Sequence, residues 1–487
     1  MTPFRTLTIL FAGLAAGLCL AAPASPDSLV LPARLDTLTE GELRIYPPDG
    51  ARLPVRYQVS WGDGETLDWT LPLQTATDIS RYHRYRRFGD FQVRARLRDA
   101  TGAVSAWGRP LELTVGPSLL KWVFPTFDPI TGSPALDRDG NVYIGDESGW
   151  FYSLAPDGQL RWSFRAGGPV LATACIAPDP PPGAGGFFRR LFGPRKPARE
   201  LVYVPSLDSQ LYCLDTDGNL VWKTSLGDEL YTAPAVDAAG NIYIGTDAGR
   251  LVAVDRLGAV EWEYDTGDEI TGSPSVGADG LVYLTSDSLY CFDARGRLRW
   301  SFGTTTEDYF YASPVPDIEG NVYAGCVDGH VYCLRPDGRL RWRAPTPDED
   351  EIKPEVVYGP DGVLWFGDDG YYLNRKTPDG TVEQVYEADD YIIATAAVAE
   401  DGTVYFLPED GYLYALGPAG RLRWKLEVAV ESKDLFCTSA PVIAPDGTVY
   451  VGSWDGGVYA FQGGSPPARS GWPQYRHDAG HTGRLTR

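Results

Sequence analysis

The run Ser133-Pro134-Ala135-Leu136, Asp139-Gly140, Val142-Tyr143-Ile144, Glu147-Ser148-Gly149, Phe151-Tyr152-Ser153-Leu154, Asp157-Gly158, Leu160-Arg161-Trp162-Ser163-Phe164 decides the fold. Four short apolar or aromatic stretches alternate with turn residues, which reads as four antiparallel strands, A to D. A tryptophan ends each such unit: Trp122, Trp162, Trp222, Trp262, Trp300, Trp342 and Trp424, at gaps of 40, 60, 40, 38, 42 and 82. The gap of 82 is two units, with Tyr386 expected in the missing tryptophan's place, and the gap of 60 is one unit plus an insertion. A second marker keeps the beat: Ser133-Pro134, Ala233-Pro234, Ser273-Pro274, Ser313-Pro314, Lys353-Pro354 and Ala440-Pro441. Four strands every forty-odd residues is the signature of a propeller blade.

The unit count gives eight. The last unit runs through Val449-Tyr450-Val451 and Val458-Tyr459-Ala460-Phe461 and stops before a strand D. The missing strand is expected from the other end, in Leu119-Leu120-Lys121-Trp122-Val123-Phe124, which would close the ring and remove two sheet edges. The fold class expected is all-β: an eight-bladed β-propeller over residues 117–464, its last blade closed by an N-terminal strand, preceded by a small β-sandwich over 25–116 and followed by a tail, 465–487, packed on the propeller.

The blade pattern, with tryptophan in strand D and Ser/Ala-Pro before strand A, resembles the PQQ-repeat propellers, a family that includes quinoprotein alcohol dehydrogenases and the outer-membrane assembly factor BamB. The tail Trp472-Pro473-Gln474-Tyr475-Arg476-His477-Asp478-Ala479-Gly480-His481-Thr482-Gly483 resembles a segment that flanks many non-enzymatic members. In the first unit, strand-like runs Val55 to Trp61 and Phe91 to Leu97 flank Trp61-Gly62-Asp63-Gly64, His83-Arg84-Tyr85, Gly89-Asp90-Phe91-Gln92-Val93 and Asp99-Ala100-Thr101-Gly102. This ordered set resembles the PKD immunoglobulin-like domains, whose resemblance implies a spacer or adhesion module. His83 is read as a hydrogen-bonded corner residue, not a ligand.

Composition agrees with many short strands. There are 55 Gly, 39 Pro, 28 Tyr and 14 Trp among 487 residues, and aromatic side chains fit a pleated half-buried surface. The net charge of −22 repels nucleic acid and admits cationic partners. Arg5, the apolar run Leu7 to Leu20 and Ala22-Pro23-Ala24 form an export signal, residues 1–24, with cleavage near Ser25. Leu18 before Cys19 argues against lipidation. The expected location is the periplasm, surface or surroundings of a bacterial cell, and the expected state is monomeric.

Several chemistries are weighed and set aside. The quinone enzymes resembling this fold use adjacent cysteines, a calcium ion and an aspartate base. No Cys-Cys pair and no haem-attachment pattern occurs here, so a quinone- or metal-dependent dehydrogenase is kept only as an alternative. Cys213, Cys291 and Cys333 fill the slot that holds Ser153, Ala253, Ala415 and Ala460 in other units, so they read as small core fillers. A disulfide among Cys175, Cys326 and Cys437 stays open. His477 and His481 are spaced for a metal only on a helix, which Gly480, Gly483 and Pro473 oppose, so a tail hydrogen-bonded to the propeller is expected. Asp137 to Asn141 and Asp215 to Asn219 mimic a calcium loop but lack its closing acid, and read as turns.

The candidate ligand face is a pattern. Crossings from strand D to the next strand A carry Asp128, Asp228, Glu229, Asp268, Glu269, Glu307, Asp308, Asp348 to Glu351, Asp389 and Asp390, with Phe127, Tyr231, Tyr309, Phe310, Tyr311, Tyr391 and Phe436 interleaved. The B–C tips add Asp146, Asp247, Asp328, Asp368, Asp369, Asp410 and Asp455. Crossings and tips share one end of each sheet, so this end is expected to form an acidic, aromatic funnel that either grips a protein, peptide or glycan or only solubilises the rim. No cofactor is expected, calcium being the one the face would accommodate. Residues 178–200, with Phe187, Phe188, Arg189, Arg190 and Phe192, form a basic apolar loop that either docks a membrane surface or partner or is an unstructured insertion. The functions in view are a non-enzymatic binding or scaffolding protein, the dehydrogenase alternative, and an assembly factor resembling BamB.

Overall fold

The computed structural model describes residues 34–35, 40–45, 56–62, 64, 66–67, 69–70, 79–84, 89–98, 100–107, 111–115, 119–179, 199–304, 308–428 and 438–485. The export signal, the loop with Phe187, Phe188, Arg189, Arg190 and Phe192, and Glu307, Phe436 and Cys437 lie outside them. The chain divides into two compact units, with the boundary in the main chain at Leu119 and Leu120. Among the described residues every regular element is a strand.

In the first unit, a five-stranded sheet runs in the order Arg34–Leu35, Leu111–Val115, Gly89–Arg98, Arg56–Ser60 and Thr66–Leu67. Glu40–Ile45 pairs separately with Ile79–Arg84. Strict alternation puts Tyr57, Val59, Val93, Ala95 and Leu97 on the buried face, all at most 1% exposed, as a half-buried strand requires.

In the second unit, eight four-stranded antiparallel sheets follow one another in the described residues, an arrangement consistent with a β-propeller. The first has strands A to D at Ala135–Leu136, Val142–Gly145, Trp150–Leu154 and Leu160–Arg165. The eighth consists of Val442–Ile443, Thr448–Gly452, Gly457–Gln462 and the early strand Leu120–Pro125, which pairs Ala460 with Trp122. The insertion after Pro178 falls between strands A and B of the second sheet, where Cys175–Pro178 pairs with Glu200–Pro205.

Three devices join neighbouring sheets. First, the strand-D tryptophan reaches the C–D turn of the following sheet: the indole N–H of Trp122 donates to the Pro156 carbonyl, Trp162 to Thr216, Trp222 to Arg256, Trp262 to Ala294 and Trp300 to Pro336, at 2.9 to 3.2 Å. The turn glycine beneath each ring is doubly required. Gly218 has φ of 86° and a Cβ there would lie 2.7 Å from the Trp162 ring. Second, where strand B ends in glycine the apolar residue of the crossing drops onto it, Val170 onto Gly145 and Ile270 onto Gly245, where any side chain would overlap it; the second, fourth and seventh sheets end that strand with Pro205, Thr285 and Phe406. Third, backbone N–H groups just before strand A donate to hydroxyls one unit on: Ser133 to Thr173, Ala233 to Ser273, Ser273 to Ser313, Glu355 to Thr395, and Ala440 to Ser133, at 2.8 to 3.1 Å.

Two expectations are corrected. Tyr386 does not replace the missing tryptophan. It pairs with Leu373, as Phe164 pairs with Phe151, and the bulge of this sheet is moved to between Leu373 and Asn374. Val385 therefore covers the next turn glycine, Gly420. Likewise Lys353-Pro354 is off the beat: the hydrogen bond to Thr395 comes from Glu355, two residues later. A carboxylate thus stands where other sheets have a hydroxyl or a methyl.

The cysteine slot is now explained. Cys213, Cys291 and Cys333 lie directly opposite Trp222, Trp300 and Trp342, as Ser153 lies opposite Trp162 and Ala253 opposite Trp262. Cys175 and Cys326 are buried free thiols as well.

The Gly218 geometry makes a graded prediction. Gly218→Ala should destabilise by about 2–4 kcal/mol, roughly half from left-handed backbone strain and half from overpacking the indole. Gly380→Ala, at φ of 103° with nothing within 4 Å, should show only the strain. Urea midpoints for the two variants would separate the contributions, and equal losses would remove the tryptophan from the account.

Candidate functional site

Each sheet has two ends. Tips between strands B and C share one end with the crossings; A–B and C–D turns share the other. The sequence reading put ligand chemistry at the first, and the structure sorts those acids into two kinds.

Most tip aspartates hold their own sheet together. Asp146 is fully buried and accepts from the Ser148 hydroxyl, the Trp150 N–H and the Tyr152 hydroxyl, at 2.8 to 2.9 Å. Asp368, also fully buried, accepts from the Gly370 and Tyr372 N–H groups and the Asn374 amide, and burial pushes its carboxyl up to about 6. Asp328 accepts from the Tyr332 hydroxyl at 2.5 Å, and Asp410 and Asp455 accept from Tyr414 and Tyr459. Asp146 and Asp368 are therefore interior residues, a correction to their place on the acidic face. The A–B turns work alike: Asp137 accepts from the Asp139 and Asn141 N–H groups, the Asn141 amide and the Tyr143 hydroxyl, so the calcium-loop mimicry is turn chemistry.

The crossing acids face outward. Asp128, Glu229, Glu269 and Asp389 are exposed, and Asp228, Asp268, Asp308 and Asp390 are half-buried. Tyr231, Tyr309, Tyr311 and Tyr391 are 40–48% exposed beside them. The Tyr231 hydroxyl donates to Glu229 at 2.9 Å, and that bond helps raise it to about 12. Tyr371 and Tyr391 meet edge to face at 5.0 Å. Near them Glu409 is pushed up to about 7, by burial first and then by Asp390 and Asp369. Lys353 sits between Glu351 and Asp369. Chemically this end offers carboxylates and ring faces to a cation. Among the described residues no group of three or more His, Cys, Asp or Glu side chains is placed to hold a metal ion.

The opposite end carries the tail that the sequence led us to expect there, and a buried carboxylate that it did not. The tail crosses it and takes up the free N–H groups of the innermost strands. Leu136 donates to Ala479, Ile176 to Gly480, Val236 to Thr482, Val276 to Gly483, Tyr358 to Trp472 and Val398 to Pro473, at 2.6 to 2.9 Å, and Ile443 to the Gln474 side chain at 3.0 Å. In the fifth sheet the equivalent residue is Pro316, which has no N–H to satisfy. His481 bridges the Tyr475 and Pro134 carbonyls at 2.8 Å through its two ring nitrogens. The tail is no helix: Arg476, His477 and His481 all have positive φ.

At its centre Glu355 accepts from the Trp472 indole and, at 3.0 Å, from the Arg476 N–H. Arg476, fully buried, donates to the Ser273 and Pro274 carbonyls. Glu355 is 2% exposed, and burial raises its carboxyl to about 7 against the pull of Arg476. The clue in the sequence was the spacing of 42 from Ser313 to Glu355, where 40 is the rule.

With this geometry in view, the likenesses to known proteins fall into place. Residues 207–357, somewhat under a third of the chain, match a family model described as outer membrane protein assembly factor BamB. No curated protein matches the chain. Among solved structures, BamB from Moraxella catarrhalis is similar with a TM-score of 0.53 at 13% identity, over 70% of this chain and 99% of that one. The computationally designed Ika8 protein is similar with a TM-score of 0.54 at 15% identity, over 69% of this chain and 97% of that one. At such identities the structures speak to fold alone; together with the family match they support a BamB-like architecture of the PQQ-repeat kind.

Proposed function

We propose that this chain is an exported, non-enzymatic binding or scaffolding protein of the bacterial envelope, built on an eight-bladed propeller that the strand Leu120–Pro125 closes. Its partner is a protein or peptide carrying lysine or arginine, taken at the tip end by the crossing carboxylates and the exposed tyrosines. The observation that carries this reading is the asymmetry between the ends: the tail fills one, while the other presents exposed carboxylates and tyrosine faces. The bonds from Ala440 to Ser133 and from the eighth sheet to Trp122 support ring closure. The missing cysteine pair supports the non-enzymatic reading.

The test is calorimetric titration of the mature protein with a lysine- and arginine-rich peptide at low salt. Binding should be saturable and weaken as salt screens it. Tyr231→Ala with Tyr311→Ala should cost about 1–3 kcal/mol, two cation–π contacts' worth. Peptide binding that ignores these changes would sink the site. Saturable binding of PQQ with calcium would return the dehydrogenase reading. A second reading, an outer-membrane protein assembly factor, is favoured by the family match over residues 207–357. Co-purification with an assembly complex would test it.

A further inference from the structure

The first unit is electrically unlike the rest. Residues 25–116 carry 12 arginines, 12 acidic residues and no lysine, in a chain of net charge −22. Its five-stranded sheet sorts four of those arginines onto one face. The residues alternating with the core on Arg56–Ser60 and Gly89–Arg98 are Arg56, Gln58 and Ser60, paired across the strands with Arg98, Arg96 and Arg94, followed on the same face by Gln92 and Asp90, which pair with Glu112 and Thr114 of Leu111–Val115. Arg56 directly opposite Arg98 sets two like charges against each other, an arrangement that costs stability in a sheet.

Two tryptophans are threaded between the guanidinium groups. Arg98 stands 4.3 Å over the Trp69 ring, and Arg96 stands 5.5 Å over Trp69 and 4.5 Å over Trp107. Arg96 is fixed further by two bonds to the Gln58 side-chain oxygen, at 2.6 and 2.8 Å. Arg94 donates to the Gln92 side chain at 2.8 Å. Among the described residues no carboxylate pairs with any of the four, and the buried Arg98 Nε has no partner. At the end of this ladder a cleft of about 320 Å³ is lined by Ser60, Gly62, Gln92, Arg94 and Trp107.

We propose that this face binds an anionic glycan, one whose sugar units each carry a carboxylate. A guanidinium fork matches a carboxylate with two parallel bonds. An indole wall accepts the apolar face of a sugar ring, and the rigid sheet holds both in place. A uronic acid presents ring face and carboxylate together. In the cleft its carboxylate meets Arg94, its hydroxyls meet Gln92 and Ser60, and its ring lies along Trp107. An acidic peptide has the charge without the ring face. A nucleic acid has both and carries a phosphate in place of the carboxylate, so single-stranded DNA is the competing ligand in the test.

The experiment is titration of the full mature chain with a galacturonate hexamer, alongside a neutral galactose hexamer. The acidic hexamer should bind and the neutral one should not, and binding should weaken as salt is raised. Arg94→Gln should weaken it about tenfold, equivalent to about 1.4 kcal/mol, with Arg94→Lys in between, because the charge survives without the fork. Unchanged melting curves keep these variants interpretable, and Gln92→Ala, which frees the guanidinium without removing it, should weaken binding less than either. Equal binding of both hexamers, no binding of either, or indifference to Arg94→Gln would overturn the proposal. So would tighter binding of single-stranded DNA, or self-association lost on Arg94→Gln without any glycan binding.

Discussion

A chain ended at Gly464 is expected not to reach a cooperatively folded second unit. The tail satisfies seven innermost-strand N–H groups, each worth about 0.5–1.5 kcal/mol when bonded. It also buries Trp472 completely, and removing a buried indole alone costs about 3–5 kcal/mol. The sum rivals the roughly 5–15 kcal/mol that separates folded from unfolded domains. Water entering the vacated end would rehydrate some of the N–H groups but not replace the indole. The loss should appear as a broadened or absent urea transition, and Trp472→Ala in the full chain should lower the midpoint by the indole's share. A truncated chain that melts like the parent would show the tail to be an accessory.

The second large effect is a pH dependence with an unusual sign. Glu355 has a folded carboxyl raised to about 7, against an ordinary value near 4.5. The folded state then holds a proton that the unfolded state releases. Its contribution to stability is full below about pH 4.5 and lost as pH rises through 7, about 3 kcal/mol over the window. Glu409, about 7, and Asp368, about 6, act in the same direction. Buried His481 has its ring value lowered, so it disfavours the folded state as pH falls below about 6.5 and opposes them in part. Asp215, Asp446 and Asp478 are lowered and matter only in strong acid. Glu355→Gln removes one term cleanly. Relative to the parent it should gain about 3 kcal/mol between pH 5 and pH 8, read from urea midpoints at each pH. Parallel profiles for the two proteins would show that Glu355 does not titrate there.

What could be read from sequence depended on whether the physics is periodic. The four-strand beat was legible because most of the strand-D tryptophans meet a turn glycine one unit on, and in most sheets the crossing residue meets a strand-B glycine. Repeated contacts of this kind leave repeated letters. The same logic failed in the sixth sheet. A moved bulge shifted Tyr386 and a two-residue surplus shifted Glu355, and neither leaves a repeated mark. The acidic face was half legible. Aspartates at tips look alike in sequence, yet Asp146 directly follows the strand-B glycine and accepts from Tyr152, whereas Asp247 stands one place further on, where the first sheet has Glu147, and is exposed. The buried centre of Glu355, Trp472 and Arg476 was illegible for a different reason: Glu355 lies more than a hundred residues from Trp472 and Arg476, and the contact belongs to no repeat.

The early strand Leu120–Pro125 also sets a timetable. It is among the first parts of the second unit to be made, yet its partner Gly457–Gln462 is among the last, and the Thr126 hydroxyl waits 330 residues for the Gly456 carbonyl. Until then an unpaired edge with Val123 outward is open to the wrong neighbour. Contacts this distant in the chain form slowly. Newly made chains should therefore depend on a holding chaperone throughout synthesis, and any stall before residue 457 should leave a species that aggregates through its first strand.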